Sequence, residues 1–287
     1  MFFDSQPFCT INGSMSPSEN EQVEVPLDKR FGFGKNWSKF IETKFNEDRV
    51  KSSIDVFCEF TGLSNLSGKS FIDVGCGSGL HSVAASRLKA KSIFSFDFDP
   101  HAVKITRLLR EREQVKDLWQ VEQGSILNKD YLEKLGKYDF VYSWGVLHHT
   151  GAVWDAISNT CELTKEDGQM YLALYSLDVQ PQAEFWLEVK QKYVKAGKLK
   201  RIYMEQWYFF KFVYNSNPRL HLKGRLAKGP KRARGMDLLT DVRDWLGGWP
   251  MEFVYDQEVI DFVEKRGFVL TNIDKGKACT EFLFKKK

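Results

Sequence analysis

The stretch FIDVGCGSG (residues 71–79) constrains the fold of this chain more than any other part of its sequence. It follows a β-rich run and opens a helical run, so the backbone must turn sharply between a strand and a helix. Glycines at positions 75, 77 and 79 permit such a turn, and they let the backbone approach a ligand that a side chain would block. The spacing is G-x-G-x-G, whereas dinucleotide-binding loops have G-x-G-x-x-G. The loop therefore predicts a ligand site of a different kind.

Short β-rich runs alternate with helical runs from about residue 69 to residue 176. The predicted strands cover 70–75, 92–99, 118–124, 139–145 and 169–176. This alternation is typical of a parallel sheet with helices on both faces. Residues 268–274 and 279–284 are predicted to form an antiparallel pair at the sheet edge. The predicted fold class is α/β, a doubly wound Rossmann-like sheet that is mostly parallel with an antiparallel edge strand, plus a helical cap insertion after the fifth strand.

Two regions lie outside this alternation. The N-terminus is rich in Ser, Asn, Glu and Pro, and residues 177–250 hold the aromatic run RIYMEQWYFFKFVY and the basic run RLHLKGRLAKGPKRARG. The predicted organisation is a flexible arm (1–29), a helical flap (30–68), a core (69–176 and 251–287) and a cap insertion (177–250). In the flap, Phe33, Asn36 and Trp37 are candidates to fold over cofactor and substrate. Packing of this arm on the sheet is the alternative.

Composition places the chain among ordinary soluble proteins, with 43% hydrophobic and 28% charged residues. No run reaches the roughly 18 apolar residues of a membrane span, and the N-terminus lacks the pattern of a signal peptide. The five cysteines are odd in number and include no C-x-x-C pair. They predict reduced thiols in a cytoplasmic protein, and they argue against a disulfide scaffold or a zinc knuckle.

The net charge of +4 is uneven, because residues 219–235 hold seven Lys or Arg and no acid. This basic segment is expected either to be solvated or to contact an anionic group. A small or lipid-linked anion is the preferred partner, and nucleic acid is less favoured.

Two carboxylates limit the kinds of ligand that this site can bind. Asp73 lies inside the first strand, where it would repel a diphosphate but suits an ammonium group. Asp97 ends the second strand, where a carboxylate can accept hydrogen bonds from both hydroxyls of a ribose. Asp99 is the rival, although it is better used as a helix cap. A ribose with an amino group and no phosphate describes S-adenosylmethionine.

Four motifs now stand in order: FIDVGCGSG, FSFDFDP, EQGSIL and YDFVYSWGVLHHTG. Together they resemble the successive motifs of class I S-adenosylmethionine-dependent methyltransferases. The resemblance implies that Asp73 and the glycine-loop backbone hold the methionine moiety, that Asp97 holds the ribose, and that Phe98 packs on the adenine. It implies a cofactor-binding set of Asp73, Gly75, Cys76, Gly77, Gly79, Asp97, Phe98, Ser125, Ile126, Ser143 and Trp144. Ser125 departs from the pattern, since the family usually carries an aspartate there.

His148 and His149 follow the fourth strand and are the candidate catalytic residues, expected at the mouth of the pocket. A metal site is not predicted, because neighbouring histidines point in different directions and no Cys, Asp or Glu lies nearby at ligand spacing. One histidine can act as a general base, or it can hydrogen-bond the backbone and shape the pocket. Both interpretations stay open, with His148 the preferred base.

The predicted function is S-adenosylmethionine-dependent, metal-independent, in-line O-methylation of a small or lipid-linked molecule. One alternative is an RNA or protein methyltransferase that uses residues 219–235. Another is a non-catalytic S-adenosylmethionine-binding interaction protein. The loop after the fourth strand lacks the [D/N]-P-P-[Y/F/W] signature of enzymes that methylate base or glutamine nitrogens, and this makes those substrates less favoured.

Overall fold

The computed structural model describes residues 47–180, 182–214, 216–217, 238–276 and 279–287. The N-terminal arm, the candidate flap residues Phe33, Asn36 and Trp37, and the basic segment 219–235 lie outside the described residues. The predictions made for them stay predictions.

A seven-stranded sheet organises the described part of the chain, in the order β3-β2-β1-β4-β5-β7-β6. The first five strands are parallel neighbours, and β7 is antiparallel to both β5 and β6. The predicted α/β class is confirmed, with the antiparallel strand one place inside the edge. The strands are β1 Ser70–Val74, β2 Ser92–Asp97, β3 Trp119–Gln123, β4 Tyr138–Trp144, β5 Thr164–Tyr175, β6 Phe268–Lys275 and β7 Cys279–Lys286.

Both faces of the inner strands β1, β2 and β4 are buried, which explains why these strands read as nearly continuous apolar runs. Successive side chains of a strand point to opposite faces. Ile72 accordingly joins one apolar cluster with Val141 and Leu172, while Phe71 joins another with Phe140. Parallel strands end at a common edge, so the carboxyl ends of β1, β2 and β4 bring the glycine loop, Asp97 and Trp144 to one side of the sheet.

Helices cover both faces and form the insertion. They are α1 Glu47–Thr61, α2 Leu80–Arg87, α3 Pro100–Glu113, α4 Lys129–Leu132, α5 Val153–Glu162, α6 Ala183–Val194, α7 Lys198–Tyr208, α8 Leu238–Gly247 and α9 Asp256–Glu264, with a 3₁₀ turn Leu147–His149 and a π-helical segment Phe209–Val213. Asp99 caps α3 by accepting a hydrogen bond from the His101 amide, with Pro100 in the first helical position. Helix α1 packs on the sheet through Phe57, whose ring lies 5.2 Å from that of Phe140.

Strand β5 begins at Thr164, five residues before the predicted start at 169. Thr164 pairs with Tyr138, and the register then shifts so that Gln169 pairs with Phe140. Lys165 contributes an ion pair to Asp139, with Nζ 2.9 Å from Oδ2. The charged residues KED therefore belong to an irregular start of the strand, which their composition alone does not indicate.

The insertion after β5 has an apolar cluster of its own. Its buried members come from α6 and α8: Trp186, Val189, Tyr193, Val242 and Leu246. Glu205 of α7 is buried beside them and accepts hydrogen bonds from Arg243 and from the Tyr193 hydroxyl. No helix in the described part of the chain is both long and apolar enough to cross a membrane.

Candidate functional site

The glycine loop takes backbone conformations that its sequence requires. Gly75 has φ +73°, and a Cβ there would lie 2.3 Å from Cγ1 of Val146. Gly79 has φ +76°, and a Cβ there would lie 2.9 Å from Oγ1 of Thr106. Positive φ values and these close approaches exclude a side chain at both positions. The loop therefore exposes backbone at the carboxyl edge, between β1 and the start of α2.

Asp97 links the loop to the end of β2. Its Oδ2 accepts a hydrogen bond from the Gly77 amide at 2.9 Å, and its Oδ1 accepts one from the Asp99 amide at 2.8 Å. This geometry fixes the carboxylate at the site and fits the predicted role toward a ribose.

Asp73 is the other acid at this edge, and it is almost fully buried. Ser82 donates a hydrogen bond to its Oδ2, and the Ser82 hydroxyl also contacts Ser95, to which the Trp119 indole donates. Burial, with a smaller contribution from the nearby charge of Asp97, raises the pKa of Asp73 to about 7, against the lowering effect of the Ser82 hydrogen bond. No cation compensates this carboxylate among the partners that the structure gives it.

Other predicted cofactor residues surround the same edge with different local roles. The Ser143 hydroxyl donates to the Val74 carbonyl at 3.1 Å and ties β4 to β1. The half-buried Trp144 ends β4, while the carbonyl of the half-buried Phe98 accepts from Gln123 at 3.2 Å. Cys76 is buried, and burial raises the pKa of its thiol well above the ordinary value, so it is a packed thiol and not a nucleophile.

The loop after β3 holds Ser125 and Ile126. The Ser125 hydroxyl oxygen accepts a hydrogen bond from the Leu127 amide at 3.1 Å. Ile126 packs in the apolar core, and its carbonyl accepts from the Asn159 side chain at 2.8 Å. Ser125 therefore shapes its own turn, which is a role that an aspartate at this position would also perform.

His148 and His149 lie in the 3₁₀ turn after β4 and have opposite proton positions. The Tyr175 amide donates to Nδ1 of His148 at 3.2 Å, so the proton of a neutral His148 ring is on Nε2. Nδ1 of His149 lies 2.7 Å from the Pro250 carbonyl oxygen. A carbonyl oxygen only accepts, so this Nδ1 carries the proton, and the basic nitrogen of a neutral His149 ring is Nε2.

Burial also separates the two rings. His148 is fully buried, and burial lowers its pKa well below the ordinary value, with the neighbouring charges of His149 and Lys190 acting in the same direction. His149 is only half-buried. The expectation that both histidines lie at the mouth of the pocket is therefore wrong for His148, because the Tyr175 backbone and the rings around it enclose that side chain.

Comparisons with known proteins bear on this site. Residues 57–172 match the family model described as ribosomal protein L11 methyltransferase (PrmA). The chain is 44% identical over 61 residues to a ribosomal protein L11 methyltransferase of Bacillus subtilis, covering 21% of this chain and 20% of that protein. It is 37% identical over 129 residues to the one of Caldanaerobacter subterraneus, covering 44% and 35%. The chain belongs to the class I S-adenosylmethionine-dependent methyltransferase superfamily.

A solved member of this superfamily shows the same fold. The structure of magnesium protoporphyrin IX methyltransferase from Synechocystis PCC 6803 with bound SAH matches with a TM-score of 0.52 and 13% identity, covering 88% of this chain and 94% of that one. The curated relatives named above overturn one expectation. Their names give a protein as the acceptor, so the expected small-molecule or lipid-linked acceptor is wrong. The anionic group expected on residues 219–235 stays a prediction.

Sequence reasoning missed the groups that this class I methyltransferase places behind the histidines. Lys190 of α6 is fully buried, donates to the Trp245 carbonyl, and lies 4.2 Å from the centroid of the Trp245 ring. Burial lowers its pKa to about 7. The signal was a lysine on the apolar side of α6, between Trp186 and Tyr193. Its partner lies 55 residues away, so the sequence gives no indication of the pairing.

The loop between α8 and α9 packs against the same side of the candidate site. The Glu252 amide donates to the His148 carbonyl at 2.8 Å, and Glu252 Oε1 accepts from the Val153 amide at 3.2 Å. Burial raises the pKa of this carboxyl group to about 7. Because the Pro250 carbonyl also accepts a hydrogen bond from His149, the loop is bound to the 3₁₀ turn through both histidines.

Proposed function

We propose that the chain binds S-adenosylmethionine and transfers its methyl group to a protein acceptor. The observation that carries the proposal is the grouping of the glycine loop, Asp73 and Asp97 at the carboxyl edge of a class I sheet, where ligands of open α/β sheets bind. The names of the curated relatives support the protein acceptor. The chain covers about a fifth to a third of those relatives, so the acceptor is proposed on similarity over a part of their length.

The cofactor site is proposed from residues whose chemistry fits the ligand. The buried Asp73 carboxylate suits an ammonium group, since a cation would compensate its charge. The Gly75–Gly79 backbone and Asp97 suit the amino-acid part and the ribose. Phe98, Ser125 and Ile126 are assigned to the adenine side, with Ser143 and Trp144 nearer to the sulfonium. When bound, S-adenosylmethionine supplies an electrophilic methyl group, and the acceptor atom must be held in line with it.

His149 is the proposed general base, and His148 is proposed to be structural. The Pro250 carbonyl holds the His149 proton on Nδ1, which leaves Nε2 as the basic nitrogen on a half-buried ring. His148 is fully buried with Nδ1 used by the Tyr175 amide. Removal of a base at a reacting group typically costs about 10²–10⁴-fold in turnover.

Calorimetric titration of the purified full chain with S-adenosylmethionine, S-adenosylhomocysteine and NAD tests the cofactor. We expect both adenosyl ligands to bind and NAD to give no heat. Asp97→Ala is expected to abolish most of the affinity. Asp99→Ala, which changes the neighbouring helix cap, is the matched control and should retain it. Equal loss in the two variants would contradict the ribose assignment.

Transfer of labelled methyl from S-adenosylmethionine to purified ribosomal protein L11 tests the acceptor. Label in the protein fraction supports the proposal. Label that enters only the small-molecule fraction of a cell extract contradicts it. His149→Ala should lower turnover by about 10²–10⁴-fold with unchanged cofactor affinity, whereas His101→Ala, on the exposed first turn of α3, should change neither.

A further inference from the structure

Helix α7 of the insertion presents an apolar face to solvent. Leu199 is 85% exposed, Ile202 51% and Tyr203 71%. Residues three and four positions apart lie on one side of a helix, so these three side chains form one continuous stripe, which we call the α7 stripe. Large apolar side chains are normally exposed singly. Three together on one helix call for an explanation.

The opposite face of α7 is fixed, so the helix cannot roll to bury the α7 stripe. Glu205 is buried and accepts from Arg243 Nε at 3.0 Å, Arg243 Nη2 at 3.2 Å and the Tyr193 hydroxyl at 2.8 Å. Arg201 donates to the Tyr193 and Val194 carbonyls at 3.1 and 2.7 Å. Rotation would break the hydrogen bonds that Glu205 accepts from Arg243 and from the Tyr193 hydroxyl.

Lysines flank the α7 stripe on both sides. Lys198 and Lys200 adjoin Leu199 in sequence, so each lies about 100° from it around the helix axis. Lys195, just before α7, is exposed as well. Within the described ranges none of the three has an ion pair, and the sequence holds no acid between Glu188 and Glu205. The rim of the stripe is therefore cationic and uncompensated.

We propose that the α7 stripe and its lysine rim dock the protein on an anionic lipid surface. An apolar stripe with lysines on its flanks is typical of a helix that lies in the membrane interface, with the apolar side chains among the acyl chains and the ammonium groups at the headgroups. Leu199 and Ile202 have no role against phosphates or bases, so nucleic acid is disfavoured. Three side chains form too small a patch for a stable protein interface. The proposal is independent of the acceptor.

Co-flotation of the full-length protein with phosphatidylcholine vesicles, with and without phosphatidylglycerol, tests this proposal. We expect binding to the anionic vesicles only, weakened by added salt because the lysine contribution is screened. The triple variant Leu199→Ser, Ile202→Ser, Tyr203→Ser should lose about tenfold or more in vesicle affinity. A second variant with Lys195→Glu, Lys198→Glu and Lys200→Glu should also lose binding to anionic vesicles.

A matched control carries Val56→Ser, Leu108→Ser and Tyr255→Ser, three exposed apolar side chains from other surfaces, and it should bind vesicles as the wild type does. S-adenosylmethionine affinity should be unchanged in all variants and reports that the core is folded. Three results would overturn the proposal: no binding of the wild type to anionic vesicles, unchanged binding of the serine triple, or a dimer in gel filtration that only the serine triple disrupts. Such a dimer would show that the α7 stripe contacts a second copy of the chain and not a lipid surface.

Discussion

Two buried carboxylates, one in the sheet and one in the insertion, are stabilised in different ways. Glu205 of the insertion has an internal cation, Arg243, with two hydrogen bonds and a third from Tyr193. Asp73 of the sheet is as deeply buried, but it accepts its side-chain hydrogen bond from the Ser82 hydroxyl, and its pKa is raised to about 7. A buried charge without a cation is costly and persists at functional sites.

This difference between the two carboxylates indicates which of the two regions binds a ligand. The insertion supplies both charges of its pair, so its stability does not depend on any bound molecule. Among the described residues no cation pairs with Asp73, and the proposed cofactor would supply the positive charge. Substitutions in the two regions should therefore separate ligand affinity from stability.

The largest expected effect is on the sheet. Gly75→Ala places a Cβ 2.3 Å from Val146 Cγ1 at a positive φ, so the loop must move. We expect a loss of roughly hundredfold in S-adenosylmethionine affinity, about 2.7 kcal/mol, measured by calorimetry. Gly68→Ala is the control, because Gly68 has φ +77° and nothing within 4 Å of its Cβ position. It should strain the backbone without affecting cofactor binding.

The insertion should respond in stability alone. Glu205→Gln removes the charge that pairs with Arg243, whose side chain is 40% exposed, so solvent screens part of the loss. We expect the free energy of unfolding to fall by about 2 kcal/mol in urea titration, with unchanged cofactor affinity. Glu188→Gln removes an exposed pair with Lys192 and should cost about 0.5 kcal/mol or less. A fall in cofactor affinity in Glu205→Gln would contradict the expectation that the insertion affects stability and not ligand binding.

A third effect depends on pH. Because the pKa of Asp73 is about 7 without ligand, the carboxyl group is protonated at lower pH and attracts an ammonium group only when ionised. We expect cofactor affinity to fall about tenfold for each pH unit below 7. Asp73→Asn should bind weakly and remove this dependence. A wild-type cofactor affinity that does not change between about pH 5 and pH 8 would contradict the assignment of Asp73 to the ammonium group of the cofactor.

A second effect of pH concerns Lys190. Its pKa is lowered from 10.5 to about 7 in the folded protein, so between these values the unfolded chain binds more protons. The free energy of unfolding should therefore rise with pH in that window, by about 1 kcal/mol per pH unit. Lys190→Met should flatten this slope and stabilise the protein at pH 7. Lys192→Met, at an exposed position of the same helix, should leave the slope in place.

The parallel sheet was predictable from sequence because β1, β2 and β4 are local apolar runs that end at a glycine or an aspartate, and the glycine loop at 71–79 is local as well. The histidine roles were not predictable. His148 and His149 are neighbours of the same type, and they differ through the Tyr175 amide, 27 residues away, and the Pro250 carbonyl, 101 residues away. Neither partner is close to the histidines in sequence, so the sequence favours His148 as the base, a role that we now assign to His149.

The start of β5 at Thr164 escaped prediction for a related reason. Charged residues usually indicate a turn, and Lys165 lies in the sheet because Asp139 of the neighbouring strand supplies its counter-charge. The insertion was predictable because residues 177–250 do not continue the alternation of strands and helices. Its packing depends on Glu205 and Arg243, which are 38 residues apart in sequence.

The hydrogen bond from His149 to the Pro250 carbonyl has a consequence for any exchange of the insertion. The chain segment that closes the insertion also decides which nitrogen of His149 carries the proton. An exchange of the insertion for one from another methyltransferase would therefore alter the protonation of the proposed base as well as the acceptor surface. Grafting experiments should keep residues 248–254 with the sheet, so that substrate preference can change while the acid–base chemistry is inherited intact.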